Sequence, residues 1–279
     1  MNIKDTIESL IKENKKLKEE NEKLKEELKK YESKKGQNCS ISGNNYEKAI
    51  HNIIKSTYLN NKLFNTQKVE DLGGSTSCND LECNLNNNND VGIEVKRAKA
   101  PDWMQCSLKR CNNNWEASEK GKIPEKSRLE FNKFIQKLTL FNGNIPPFLE
   151  KKLTHKEWTD IKSASHKFDD IYIDIPDDTI NKIYLAKGCN YIQISHYGLY
   201  RLADDVCNFD VPLFKIKQKL RVRIKIHQKN NSEGFCNMSI IASCLPCDIS
   251  TLEPSLYSLD SIEKLPKNLL YKSNNEIEV

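Results

Sequence analysis

With 279 residues, 30% of them charged and 37% hydrophobic, the chain has the length of one catalytic domain plus an accessory segment. No run of about 18 apolar residues is present to span a membrane, and the charged, periodic start MNIKDTIESL lacks the apolar stretch and cleavage site of a secretory leader. The ten cysteines are scattered, so they are expected as reduced thiols of an intracellular, non-secreted protein rather than as a disulfide scaffold; a net charge of +5 is too small by itself to name an anionic partner.

The first segment has a seven-residue period. Ile3, Leu10, Leu17, Leu24 and Tyr31 form one series, and Ile7, Asn14, Asn21 and Leu28 form a second that fits the a positions if the first is d. Lys and Glu in near balance fill the positions between. Four such heptads predict a parallel coiled coil over residues 1–36. Two Asn at a positions can pair with the same Asn of a second copy, which fixes register and favours two strands. The alternative is a solvated single helix rich in Glu–Lys pairs. Gly, Ser and Asn in KKGQNCSISGNN (34–45) then break the pattern as a linker.

Residues 43–58 predict a second helix whose stripe is Tyr46, Ala49, Ile50, Ile53, Ile54 and Thr57. Glu47 borders that stripe, as a plain boundary residue or as a carboxylate leaning towards a neighbouring site. Three strand-like stretches follow. Residues 67–72 precede the turn GGSTS. Residues 80–85 alternate, with Leu81, Cys83 and Leu85 on one face and Asp80, Glu82 and Asn84 on the other. NNNND (86–90) is turn-forming, so Asp90 is read as a turn residue. Val91, Ile93 and Val95 then alternate with Glu94 and Lys96.

Folding the last two strands about NNNND with Leu85 opposite Val91 sets Glu82 opposite Glu94 and Asp80 opposite Lys96. Directly opposed Cβ atoms lie roughly 5 Å apart. Three carboxylates and one ammonium in that space repel on a plain solvated face, and a divalent cation would reverse the sign of that term. A one-residue slip would divide the set between two faces.

Gly43-x-x-x-Glu47, then Asp80, then Glu94-Val95-Lys96, in the order helix, strand, strand hairpin, resembles the PD-(D/E)XK nuclease superfamily over residues 42–109; residue 79 is Asn where the name-giving pattern has Pro. The resemblance implies an α/β (α+β) fold of restriction-endonuclease type: a mixed sheet flanked by helices over residues 37–279. It implies Mg²⁺, with Mn²⁺ able to substitute, held by Asp80, Glu94 and the Val95 carbonyl. Lys96 would orient or deprotonate the attacking water, and Glu47 would bind a second metal or orient water; Glu82 competes with Asp80 and Glu47 for those roles. Phosphodiester hydrolysis needs those parts: a Lewis acid, an activated water and help for the leaving group. Pro101-Asp102 is a helix start signal, and Gln105 on that helix would lend the polar side chain such nucleases often place there.

Residues 124–185 predict a mostly helical insertion between core strands. Residues 191–195 and 198–202 predict two strands joined by a turn that complete the sheet. Residues 220–227 alternate, with Arg221, Arg223, Lys225 and His227 on one face. That face suits contact with phosphates, as does Lys99 beside the E-x-K strand; the alternative is a solvated edge strand guarded by charge. Cys244-x-x-Cys247, with Cys236 and His227 upstream, is a candidate zinc knuckle. The function expected is a Mg²⁺-dependent endonuclease acting on double-stranded DNA as a homodimer. The alternatives are a non-catalytic DNA-binding protein on a nuclease scaffold and a coiled-coil structural adaptor.

Overall fold

The computed structural model describes residues 42–54, 68–71, 79–85, 88–100, 102–120 and 123–266, together with five positions of the first segment, Glu13, Leu17, Lys18, Glu20 and Lys23, all helical. The other positions of the expected coiled coil, and Thr57, lie outside the described residues. Residues 1–45 and 46–279 are two compact units.

The fold is mixed α/β. A helix over 42–54, α1, precedes an antiparallel meander of β1 (Lys68–Asp71), β2 (Leu81–Leu85) and β3 (Asn88–Lys96). β7 (Cys189–Ile194) runs parallel to β3, and β8 (Gly198–Arg201) returns antiparallel to β7, so the first sheet has the order β1-β2-β3-β7-β8. A parallel neighbour needs a crossover. Here it ends in helix α4 (Thr179–Lys187), which stops at Gly188 with φ of 101° and turns directly into β7. Glycine adopts that left-handed conformation without a Cβ penalty.

The two faces of this sheet are covered differently. Val91, Ile93 and Val95 of β3 pack with Leu81, Cys83, Tyr191 and Leu199 against Ile50 and Ile54 of α1 and against Leu259 and Leu265 near the end of the described chain. Ile192, Ile194 and Tyr200 point the other way, into a larger core with Ile180, Ile183 and Tyr184 of α4. Period-two alternation produces this division.

Between β3 and β7 lies more than helices, which corrects the expected insertion at 124–185. Helices α2 (Glu125–Ile135) and α3 (His155–Ala164) form there. The same stretch also supplies β6 (Ile171–Ile175) to a second five-stranded sheet, with β4 (Met104–Cys111), β5 (Asn114–Ala117), β9 (Gln218–Gln228) and β10 (Asn237–Pro246) in the order β5-β4-β10-β9-β6.

The helix expected after Pro101 is β4. Met104, Cys106 and Leu108 are buried at every second position, and the strand is paired on both sides, by β10 and β5. A local start signal is weak beside two ladders and a buried face. Among the described residues no helix is long and apolar enough to cross a membrane. The eight described cysteines are free thiols. Cys244 is buried in the core and Cys247 is exposed, so the CxxC pair does not converge; no group of three His, Cys, Asp or Glu among the described residues is placed to hold a metal.

Candidate active site at the β2–β3 pair

Asp80 and Glu94 project towards the α4 side of the first sheet. The observed register pairs Leu81 with Ile93, Glu82 with Gly92 and Cys83 with Val91. It is shifted by two residues from the expected one over Leu81–Cys83, because β3 begins at Asn88 and takes in three of the five residues expected as loop; an irregularity between Cys83 and Leu85 then pairs Leu85 with Asn88. An even shift leaves every side chain on its face. Continued one residue, it sets Asp80 beside Glu94. Glu82 faces Gly92 instead, and Glu70 across β1.

Asp80 sits just before β2, and its Oδ2 accepts the Val95 backbone N–H at 2.8 Å. The carboxylate thereby replaces a ladder bond, which fixes its position against β3. Lys96 Nζ is 2.5 Å from Glu94 Oε1 and 3.4 Å from Asp80 Oδ2. A single ammonium therefore lies within reach of both carboxylates. Asp80 and Glu94 are buried, and Lys96 is the member with an opening to solvent, its side chain 15% exposed.

A fourth charged group was not foreseen. Lys187, the last residue of α4, places Nζ 2.6 Å from Glu94 Oε2, with only 2% of its side chain exposed. Its approach depends on glycine at position 92. A Cβ there would collide with the Gly188 carbonyl and with Asn79, whose Cγ would lie 2.7 Å away. Asn79, in the position where the motif's name has Pro, accepts a hydrogen bond from the Cys189 thiol at 3.2 Å. Tyr184 closes the cluster. Both ammoniums lie 5.8 Å from its ring centroid, and its hydroxyl donates to the Trp103 carbonyl at 2.8 Å. Lys ahead of Gly at a helix end favours the helix dipole and marks the terminus. Nothing in the local sequence couples that end to a glutamate 93 residues away.

Burial and charge act in opposite senses on these groups. Burial favours the neutral form of Asp80 and outweighs Lys96, so its carboxyl is held above the ordinary value. For Glu94 burial also raises the pKa, but Lys96 and Lys187 together outweigh it and the net shift is downward. Burial disfavours charge on Lys96, yet Asp80 and Glu94 hold it well above the ordinary lysine value. Lys96 is thus a firm cation here.

The remaining expected site residues fall elsewhere. Glu47 is half-buried on α1, which packs on the opposite face of the sheet, and it joins no carboxylate group of metal-binding size among the described residues. Gln105 lies on β4 in the second sheet, where its Nε2 donates to Asp102 Oδ2 at 3.3 Å. Lys99 is exposed in the turn closed by the Ala100 N–H on the Arg97 carbonyl.

The β9 residues do share a face, but the fold neutralises part of it. Arg221 pairs with Asp170 at 2.6 Å and with Asp102 at 3.4 Å; Arg223 pairs with Asp102 at 2.9 Å. Burial and Lys225 hold His227 below its usual value, and its Nε2 is 2.6 Å from Ser239 Oγ. Lys225 is exposed and makes no ion pair among the described residues. No protein-family model, curated protein or solved structure matches the chain.

Proposed function

We propose that the protein is a metal-dependent endonuclease of the PD-(D/E)XK type, hydrolysing phosphodiester bonds in double-stranded DNA as a homodimer. One observation carries the reading: Asp80, just before β2, and Glu94, on the neighbouring β3, reach the same Lys96 ammonium, at 3.4 and 2.5 Å. A point within reach of two carboxylate oxygens and filled by a cation is where a hard divalent ion fits. The element order supports it too: helix, three-stranded meander, helix, then a strand parallel to the third. We read that order as a restriction-endonuclease-like core, with β4, β5 and β6 of the second sheet carried in its crossover and β9 and β10 following β8. Free thiols suit an intracellular setting.

In this reading Asp80, Glu94 and the Val95 carbonyl would hold Mg²⁺ or Mn²⁺, which supplies Lewis acidity towards a phosphoryl oxygen. Lys96, at the open edge, orients the attacking water and offsets phosphoryl charge. Asp80 is kept in place by the Val95 amide, and Glu94 by Lys187. Lys225 is the β9 residue best placed to meet a phosphate, since Arg221 and Arg223 are shared with Asp102 and Asp170. Dimerisation rests on the heptads; Leu17, a d position, is 53% exposed in the single chain.

A plasmid-nicking assay with Mg²⁺ or Mn²⁺, wild type against Lys96→Ala, tests the proposal. Metal-dependent nicking lost in the variant supports it. Equal nicking by both proteins rules this site out, and no nicking by either returns the chain to a non-catalytic DNA-binding scaffold.

A further inference from the structure

The charge count around Glu94 has a consequence for what the site can bind. Asp80 and Glu94 contribute two negative charges at most, and Lys96 and Lys187 contribute two positive ones. The buried cluster has no net negative charge to draw in a cation. A divalent ion entering it would leave an excess of two positive charges in a water-poor site, where uncompensated charge is costly.

The two lysines are not equivalent in their freedom. Lys96 has solvent at its edge and can retract. Lys187 is held on the final turn of α4, between the Gly188 cap, the close approach at Gly92 and the Tyr184 ring, with 2% of its side chain exposed. It also occupies Glu94 Oε2 at 2.6 Å, leaving Oε1 as the oxygen shared with Lys96.

We infer that Lys187 is a built-in counter-cation that makes divalent-ion uptake by Asp80 and Glu94 conditional on an anionic phosphate arriving with it. The inference rests on the metal-dependent reading above and adds a regulation of the same site. Each phosphodiester brings one negative charge to the Lys96 edge, offsetting half of the excess the ion creates. Empty of nucleic acid, the protein holds the ion poorly; on DNA it holds it well. By linkage the same factor applies to DNA affinity when the ion is added.

The experiment is a Mn²⁺ titration of the full chain, read by loss of the free-ion electron paramagnetic resonance signal. Wild type, Lys187→Met and Lys187→Gln are each titrated alone and with a short phosphorothioate DNA duplex, with Mn²⁺ held by the duplex alone subtracted. Met fills the lysine's volume without charge, and Gln retains a donor for Glu94 Oε2, so one variant remains informative if the other fails to fold.

Alone, the variants should bind Mn²⁺ at least about tenfold more tightly than wild type, and the duplex should tighten wild type by about tenfold or more and the variants by less. Equal Mn²⁺ affinity of wild type and variants without DNA, or equal tightening of all by the duplex, overturns the role of Lys187 and leaves the metal site standing. No Mn²⁺ bound by any protein, with or without duplex, overturns both readings.

Discussion

Replacing Glu94 by Gln removes one negative charge and almost no volume, which isolates the electrostatics of the cluster. Lys187 then keeps an amide neighbour but loses its carboxylate, while remaining 2% exposed. Lys96 keeps only Asp80, at 3.4 Å. The buried set changes from neutral to one excess positive charge. Breaking a buried ion pair by removing one partner costs about 3–5 kcal/mol. At about 2–4 °C per kcal/mol for domains of comparable size, the melting temperature should fall by about 6–20 °C. The double variant Glu94→Gln/Lys187→Met restores the balance with Asp80 and Lys96 alone. It should recover most of the loss, since replacing a buried pair by packed apolar atoms is often close to neutral. Thermal and urea unfolding by circular dichroism reads both variants. A single variant as stable as wild type, or a double variant no more stable than the single, refutes the buried four-charge cluster.

Gly92→Ala forces a Cβ against the Gly188 carbonyl and Asn79; backbone yields poorly, so a loss of about 1–3 kcal/mol in urea unfolding is expected, and an unchanged midpoint contradicts the close β3–α4 approach. Lys96 is held charged above the ordinary lysine value of 10.5. Its contribution is therefore complete below that value and lost only as pH rises through the folded-state value. The stability gap between wild type and Lys96→Met should persist through pH 10.5 and close above it; a gap already closed by then counts against the pairing. Asp102→Asn leaves Arg223 without its carboxylate and weakens Arg221, for a loss of about 1–3 kcal/mol in chemical denaturation, and an unchanged stability would show that these pairs are solvent-screened. Leu17→Asp should convert a dimer to a monomer in light scattering; a dimer that survives it argues against the heptad seam.

Much of the first sheet was legible in the sequence because strand alternation is a local property. Leu81 and Cys83 against Asp80 and Glu82, and Ile93 and Val95 against Glu94 and Lys96, fix which side chains share a face whatever packs upon it. Even a register two residues off kept Asp80 and Glu94 together, since the period is two. The alternating β9 was legible for the same reason, and the β7–β8 pair as two strand-like runs joined by a turn.

What the sequence left open depends on partners distant along the chain. Whether Pro101-Asp102 starts a helix or precedes β4 is decided by the β10 and β5 ladders on either side. Whether Arg221 and Arg223 present free charge is decided by Asp102, more than a hundred residues before them in the chain. And the charge state of the candidate site is decided by Lys187, which reaches Glu94 only because α4 ends at Gly188 against the bare backbone of Gly92. Periodicity assigns a residue to a face; only the packing of one face upon another assigns it a partner, and in a buried cluster the partner sets the charge.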